Sequence, residues 1–379
     1  MNAVSSPRSR IMVVTPLGEG GRGGIDRIMD EIRVQLSEKP PADLTVSFYS
    51  TRGQGHILRS IPLVAITALR LLLAPFGFGP DLVHINLAQD GSTLRKLLVA
   101  RVARFVGVPY IIHLHGSRFR SSWAKAPPVL VRRMQRLFGY AAHTLVLGTV
   151  WKEFILQHAP KAEGRIEIFP NASPAAEPAV RETRDHVVIL FLGYIGERKG
   201  APQLVEALAT MKSSPDLEQG PQWRAIIAGN GDVEETRARV ESLGLADRVT
   251  LPGWVGPEEV SRLLSQADIL VLPSFDENLP MSVIEGMAHG LAVAATPVGA
   301  VEDILHHEKT GLITPTGDAP ALAKTLERLV LDPDLRARLG AAAKAYHTEH
   351  LEMGAYYRKL LDVWRRFARR SAAASSGAS

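Results

Sequence analysis

Residues Ile269-Leu270-Val271-Leu272-Pro273-Ser274-Phe275-Asp276-Glu277-Asn278-Leu279-Pro280-Met281-Ser282-Val283-Ile284-Glu285-Gly286-Met287-Ala288 decide the fold. The apolar run Ile269–Leu272, closed by Pro273 and Ser274, reads as a strand buried in a sheet. A helix is expected to begin near Pro280, because proline suits a first helical turn. Strand, loop and helix thus follow one another, and Glu277 and Glu285, with seven residues between them, bracket the helix start. Free N–H groups and the positive end of the dipole make such a terminus an anion site, and carboxylates accept hydrogen bonds from hydroxyls. A nucleotide sugar carries both groups.

Outward from this stretch, strand-like runs alternate with helical patterns along the whole chain, the mark of parallel sheets covered by helices. In the first half the runs are Ile11–Thr15, Leu44–Tyr49, Leu82–Ile85, Tyr110–Leu114, Thr144–Leu147 and Ile166–Phe169. In the second they are Val187–Leu192, Arg224–Ala228, Val249–Leu251, Ile269–Leu272, Ala292–Ala295 and Gly311–Ile313. Two α/β domains are expected, with the boundary between Ser173 and Asp185, where Pro174, Pro178 and several charges interrupt any periodicity. A length of 379 residues and 46% hydrophobic content suit two cores.

The Glu277 to Glu285 passage resembles the E-x7-E signature of the retaining group 1 (GT4) glycosyltransferases of GT-B fold. Phe191-Leu192-Gly193 through Arg198-Lys199-Gly200 is similar to that family's first strand and phosphate loop in its C-terminal domain. Ile226-Ile227-Ala228-Gly229-Asn230-Gly231 is similar to its second strand and glycine turn, and Val249-Thr250-Leu251-Pro252-Gly253-Trp254-Val255 to its base-contacting loop. The resemblance implies two Rossmann-like domains facing a central cleft. Residues 1–175 would bind the acceptor and 176–352 the nucleotide sugar; a helix over 353–370 would cross back to the N-terminal domain. Residues 371–379, rich in Ala and Ser, read as a disordered tail.

Roles carry over residue by residue. Glu285 matches the acid that holds the ribose, and Glu277 the one near the transferred sugar, with the backbone of Asn278, Leu279, Pro280 and Met281 facing sugar and phosphates. Gly229, Trp254 and Val255 fall among the donor contacts. Lys199 and Arg198 would stabilise the departing phosphate, a task that falls to cations and helix dipoles when no metal takes part. The family usually carries Arg after the first glycine of this loop; here that position is Tyr194, and Arg198 is the substitute. Relatives often have Gly-Phe-Gly where this chain has Asn278-Leu279-Pro280, which alters the sugar contacts. His115, at a strand end, matches the histidine that approaches the donor sugar, whereas His113 is read as alternating away from it into buried structure. The implied reaction is metal-independent transfer with retention from a UDP- or GDP-linked hexose to an acceptor hydroxyl, with a lipid-linked glycan favoured. Bacterial polysaccharide or glycolipid synthesis is the implied setting.

Other patterns compete. Gly18-Glu19-Gly20-Gly21-Arg22-Gly23 matches G-x-G-x-x-G, but the second strand ends in Phe48-Tyr49-Ser50-Thr51-Arg52, without the acid a dinucleotide site requires. An NAD-dependent oxidoreductase is the weaker alternative, and a catalytically silent scaffold of the same fold is another. Within the family reading, Gly23 and Gly24 approach the donor diphosphate; a simple tight turn would need the same glycines. Asp332-Pro333-Asp334 mimics a metal-binding D-x-D, yet its position between two helices fits a helix cap. The histidine pairs 113/115 and 306/307 lack a third ligand in register.

Composition bounds the setting. The chain has no cysteine, and Met1 to Ser9 lacks the apolar core of a secretory signal, so a cytoplasmic location is the expectation. Ile61 to Phe78, broken by Pro62, Pro75 and Arg70, is a poor membrane span and reads as a buried or interfacial helix. Residues 1–180 hold 22 Lys and Arg against 12 acids, residues 181–355 hold 16 against 26, and residues 356–379 hold 6 against 1. In the basic half, Arg118, Arg120, Lys125, Arg132, Arg133 and Arg136 interleave with Phe119, Trp123 and Phe138. That pattern suits an anionic membrane or a phosphate-bearing acceptor; a nucleic-acid groove or a plain solvated face shows the same charge. No nucleic-acid partner is expected.

Overall fold

A computed structural model describes residues 8–20, 24–53, 60–177 and 184–368. The chain divides into two compact units, Met1–Asn171 with Gly354–Ser379, and Ala172–Met353. Each is built on a parallel six-stranded sheet.

The first sheet contains β1 (Ser9–Thr15), β2 (Leu44–Ser50), β3 (Leu82–Leu87), β4 (Tyr110–Leu114), β5 (His143–Val146) and β6 (Ile166–Ile168), in the spatial order β2-β1-β3-β4-β5-β6. The second contains β7 (His186–Leu192), β8 (Gln222–Ala228), β9 (Val249–Gly253), β10 (Ile269–Leu272), β11 (Ala292–Ala295) and β12 (Leu312–Ile313), in the order β12-β11-β10-β7-β8-β9. Every residue of β10 and β11 is buried, which explains why these strands read as unbroken apolar runs: helices cover a parallel sheet on both faces. All twelve expected strands form, β4, β10 and β11 with the expected ends and the others with ends moved by one or two residues.

Strand order places the sites. From β7 the chain winds outward through β8 to β9, then returns to lay β10 along the other side of β7, pairing Ile269 with Ile189 and Leu270 with Leu190. The loops after β7 and β10 therefore leave the same sheet edge on either side of a winding reversal, where open α/β sheets open a crevice. The first sheet has the same reversal between β1 and β3.

The Met353–Phe367 helix closes on the first unit. There the Tyr357 hydroxyl donates to the Lys39 carbonyl (2.9 Å), and the Trp364 indole to His84 Nδ1 (3.1 Å). Asp332 caps the Pro333–His350 helix by accepting from the Leu335 amide (2.8 Å), so the D-x-D mimic is a helix start.

Two expectations are corrected. Residues of a strand two apart share a face, and the His113 and His115 rings stand 4.0 Å apart, so His113 does not alternate away. Phe119, Trp123 and Phe138 are buried against one another and do not accompany the neighbouring arginines at the surface.

His84, His113 and His115 form a buried row, and burial holds all three neutral, His84 and His115 down to about 3 and His113 well below the usual histidine range. On unfolding each takes up a proton below about pH 6.5 that the folded unit refuses. Stability is therefore lost as pH falls from 6.5 toward 3, by up to ~1.4 kcal/mol per pH unit for each imidazole. Urea midpoints of the first unit are expected to drop between neutral pH and about pH 5, and less so in His84→Asn. A midpoint that stays constant would refute the neutral row.

Candidate functional site

In the second unit the Lys199 ammonium is ion-paired with the Glu277 carboxylate; the Glu277 side chain is buried, 8% exposed, and that of Lys199 is part-buried, 13% exposed. Glu277 also accepts from the Ser274 hydroxyl (2.9 Å), and the Ser274 carbonyl accepts from the Thr296 hydroxyl (2.6 Å). Loops after β7, β10 and β11 thus meet at one point.

Glycines permit the approach. Gly200 sits at φ 72°, and a Cβ there would lie 2.0 Å from the Pro273 carbonyl oxygen. Gly299, at φ 62°, would strike the carbonyls of Glu277 and Asn278 at 2.3 and 2.4 Å. Only a residue without a side chain lets these backbones close around the carboxylate. Arg198 donates to the Asp276 carbonyl (3.0 Å), which ties the same two loops a second time.

Beyond that carboxylate, Asn278, Leu279 and Pro280 are buried, and Pro280 stands at the N-cap of the Met281–Ala288 helix. Glu285 lies about one turn into this helix, 7% exposed. Gly286 packs the helix on its strand: a Cβ would stand 2.7 Å from Leu270 Cδ2. Gly229 donates its amide to the Gly253 carbonyl (2.8 Å), and a Cβ at its φ of 155° would lie 1.6 Å from the Gly193 carbonyl oxygen. Trp254 is exposed and Val255 half-buried after β9, and Tyr194 is exposed beside Gly231.

In the first unit, His115 is buried at the end of β4, with Nε2 2.9 Å from Asn86 Oδ1. Asn86 Nδ2 donates to the Val14 carbonyl (3.3 Å), which turns its oxygen toward the histidine. His115 therefore carries its proton on Nε2 and a lone pair on Nδ1, and its low pKa keeps it an uncharged hydrogen-bonding group. Gly24 opens the Gly24–Glu38 helix; Gly23 lies outside the described residues.

Sequence reasoning missed Asn86, Ser274 and Lys96. Asn86, like His84, interrupts an otherwise apolar buried strand, a legible signal. Lys96 is buried at the ends of β1 and β2, donating to the Thr15 carbonyl (3.2 Å) and the Thr51 hydroxyl, and burial lowers its pKa to about 7. Among the described residues no group of three or more His, Cys, Asp or Glu is arranged to hold a metal ion.

Removing one partner of a desolvated ion pair strands the other, at a cost of about 3–5 kcal/mol. Lys199→Ala is expected to lower the melting temperature of the second unit, and adding Glu277→Gln to restore most of it. Equal melting of wild type and the single variant would mean the pair is solvated.

Two family models match, the group 1 glycosyl transferases over residues 175–346 and the glycosyl transferase 4-like domain over residues 10–172. A 2-deoxystreptamine N-acetyl-D-glucosaminyltransferase of Streptomyces fradiae is 28% identical over 85% of this chain and 81% of its own. An alpha-D-kanosaminyltransferase of Streptomyces kanamyceticus is 26% identical over 74% and 77%. Among solved structures, a Rickettsia africae glycosyltransferase (TM-score 0.75, 16% identity, 96% and 100% covered) shares the fold. So does Anabaena HepE in complex with UDP and glucose (TM-score 0.72, 16% identity, 95% and 100% covered). The two models together span nearly all the described residues, and the chain belongs to the group 1 glycosyltransferases of GT-B fold.

Proposed function

We propose that the protein moves a sugar from a UDP-linked donor, held by the second unit, to a hydroxyl of a saccharide acceptor bound by the first. The observation that carries this reading is the Lys199–Glu277 pair at the winding reversal, with Glu285 one turn into the adjoining helix. Similarity to HepE, solved with UDP-glucose, favours uridine as the base. Similarity to aminocyclitol glycosyltransferases and to an Erwinia amylovora enzyme of amylovoran biosynthesis favours a saccharide-like acceptor. A lipid-linked glycan is the acceptor we favour.

As the bond from the anomeric carbon to the diphosphate breaks, negative charge gathers on the leaving oxygens. Lys199, Arg198 and the amides opening the Met281–Ala288 helix meet that charge, so in this reading no metal is required. Glu285 accepts from the ribose hydroxyls and Glu277 steers Lys199. The acceptor oxygen bonds to the anomeric carbon on the face the diphosphate leaves, its proton passes to the leaving phosphate, and configuration is retained. Neutral His115 accepts from a sugar hydroxyl through Nδ1; it does not supply a proton.

Slow hydrolysis and transfer are to be screened with UDP-, GDP- and ADP-sugars, with and without a chelator. Turnover with UDP-sugars that survives chelation is expected, and Glu285→Ala and Lys199→Ala are expected to slow it about 10- to 100-fold, the worth of one charge-assisted hydrogen bond. Binding without turnover would instead favour the silent scaffold.

A further inference from the structure

The Ser60–Leu72 helix buries Ser60, Val64, Thr67 and Leu71 against the first unit. That spacing gives an ordinary amphipathic helix one buried stripe and should leave polar residues outside. Its outer face instead presents Ile61, Ala65, Ile66, Leu69 and Leu72, with Arg70 as its single charge. The chain continues through a 3-10 turn, Ala74–Phe76, and Phe76 and Phe78 are 73% and 74% exposed. The neighbouring Gly91–Phe105 helix packs against the first and repeats the anomaly: Leu94, Leu98 and Phe105 point outward at helical spacing, Phe105 81% exposed, with Arg101 and Arg104 beside them. Scattered exposed leucines need no explanation, but two adjacent helices with apolar outer faces mark a binding surface.

Charge identifies what binds. From residue 60 to 140 the chain carries eleven Lys and Arg and only two acids, Asp81 and Asp90. Asp81 accepts from the Arg10 amide (2.7 Å) and Asp90 from the Ser122 hydroxyl (2.6 Å), so both acids are engaged within the unit. No acid lies on the Ser60–Leu72, Gly91–Phe105 or Pro128–Tyr140 helices. A second copy of the surface would set arginine against arginine. An occupant of this surface must therefore take in apolar side chains and also bear negative charge. An anionic bilayer meets both demands, because acyl chains accept the apolar ridge while arginines reach back to the phosphates.

We propose that this ridge docks the protein on an anionic membrane, with Ile61, Ile66, Leu69, Phe76 and Phe78 entering the headgroup boundary and Arg70, Arg101 and Arg104 engaging lipid phosphates. No helix among the described residues is long and apolar enough to cross a membrane, so the docking is peripheral. The proposal stands independently of the donor and acceptor assigned above.

Full-length protein is to be sedimented with vesicles of phosphatidylcholine alone and of phosphatidylcholine with phosphatidylglycerol. Binding to the mixed vesicles alone, weakened by salt, is expected. Ile66→Asp with Leu69→Asp is expected to lower it at least about tenfold, and Arg70→Glu with Arg101→Glu to abolish the dependence on anionic lipid. Hydrolysis of a nucleotide sugar is unchanged in both variants. Because the native chain has no cysteine, Leu69→Cys carries a single environment-sensitive fluorophore, which should shift to the blue on mixed vesicles. Equal sedimentation of wild type and the aspartate variant, or no fluorophore shift, overturns the proposal. So does a wild-type dimer that the aspartate variant dissolves, since the ridge would then be a self-interface.

Discussion

The ammonium of Lys199 rests against the carboxylate of Glu277 because a parallel sheet reverses its winding between β7 and β10. Each charge alone would be costly at that depth; together they hold a cation ready at the edge where the sheet opens. The glycines at 200 and 299 have no other acceptable occupant while the loops stay this close. In the proposed reaction a diphosphate arriving at this edge would meet a lysine already positioned, so little rearrangement would be left to the reaction itself.

The two units solve opposite electrostatic problems. The second pairs Lys199 with Glu277 and carries an excess of acids; the first buries neutral imidazoles along β3 and β4 and leaves arginines outside. Neutral His115, oriented by Asn86, fits contact with uncharged hydroxyls, whereas Lys199 fits an anion. The last helix contributes through Trp364, whose hydrogen bond fixes His84 at the far end of the histidine row.

Much of this was legible in the residues. Apolar runs between turn signals located all twelve strands, because burial on both faces leaves little room for polar residues. The pairing of Lys199 with Glu277 was not legible from periodicity: they lie 78 residues apart, and only the placement of β10 beside β7 brings them together. Sequence also reads composition without direction. It found the apolar stretch from Ile61 to Phe78 but could not say that its outer face stays exposed, and it set Phe119, Trp123 and Phe138 beside surface arginines when they pack inward. The period of a strand, applied strictly, would have put His113 and His115 on one face.

The central claim is that Lys199 reads the diphosphate. Calorimetric titration of UDP and of uridine into Glu277→Gln, with and without Lys199→Ala, isolates that charge while sparing the fold the burden of an unpaired carboxylate. A preference for UDP over uridine that shrinks about 10- to 100-fold when the lysine is removed is the expected result. An undiminished preference would contradict the account.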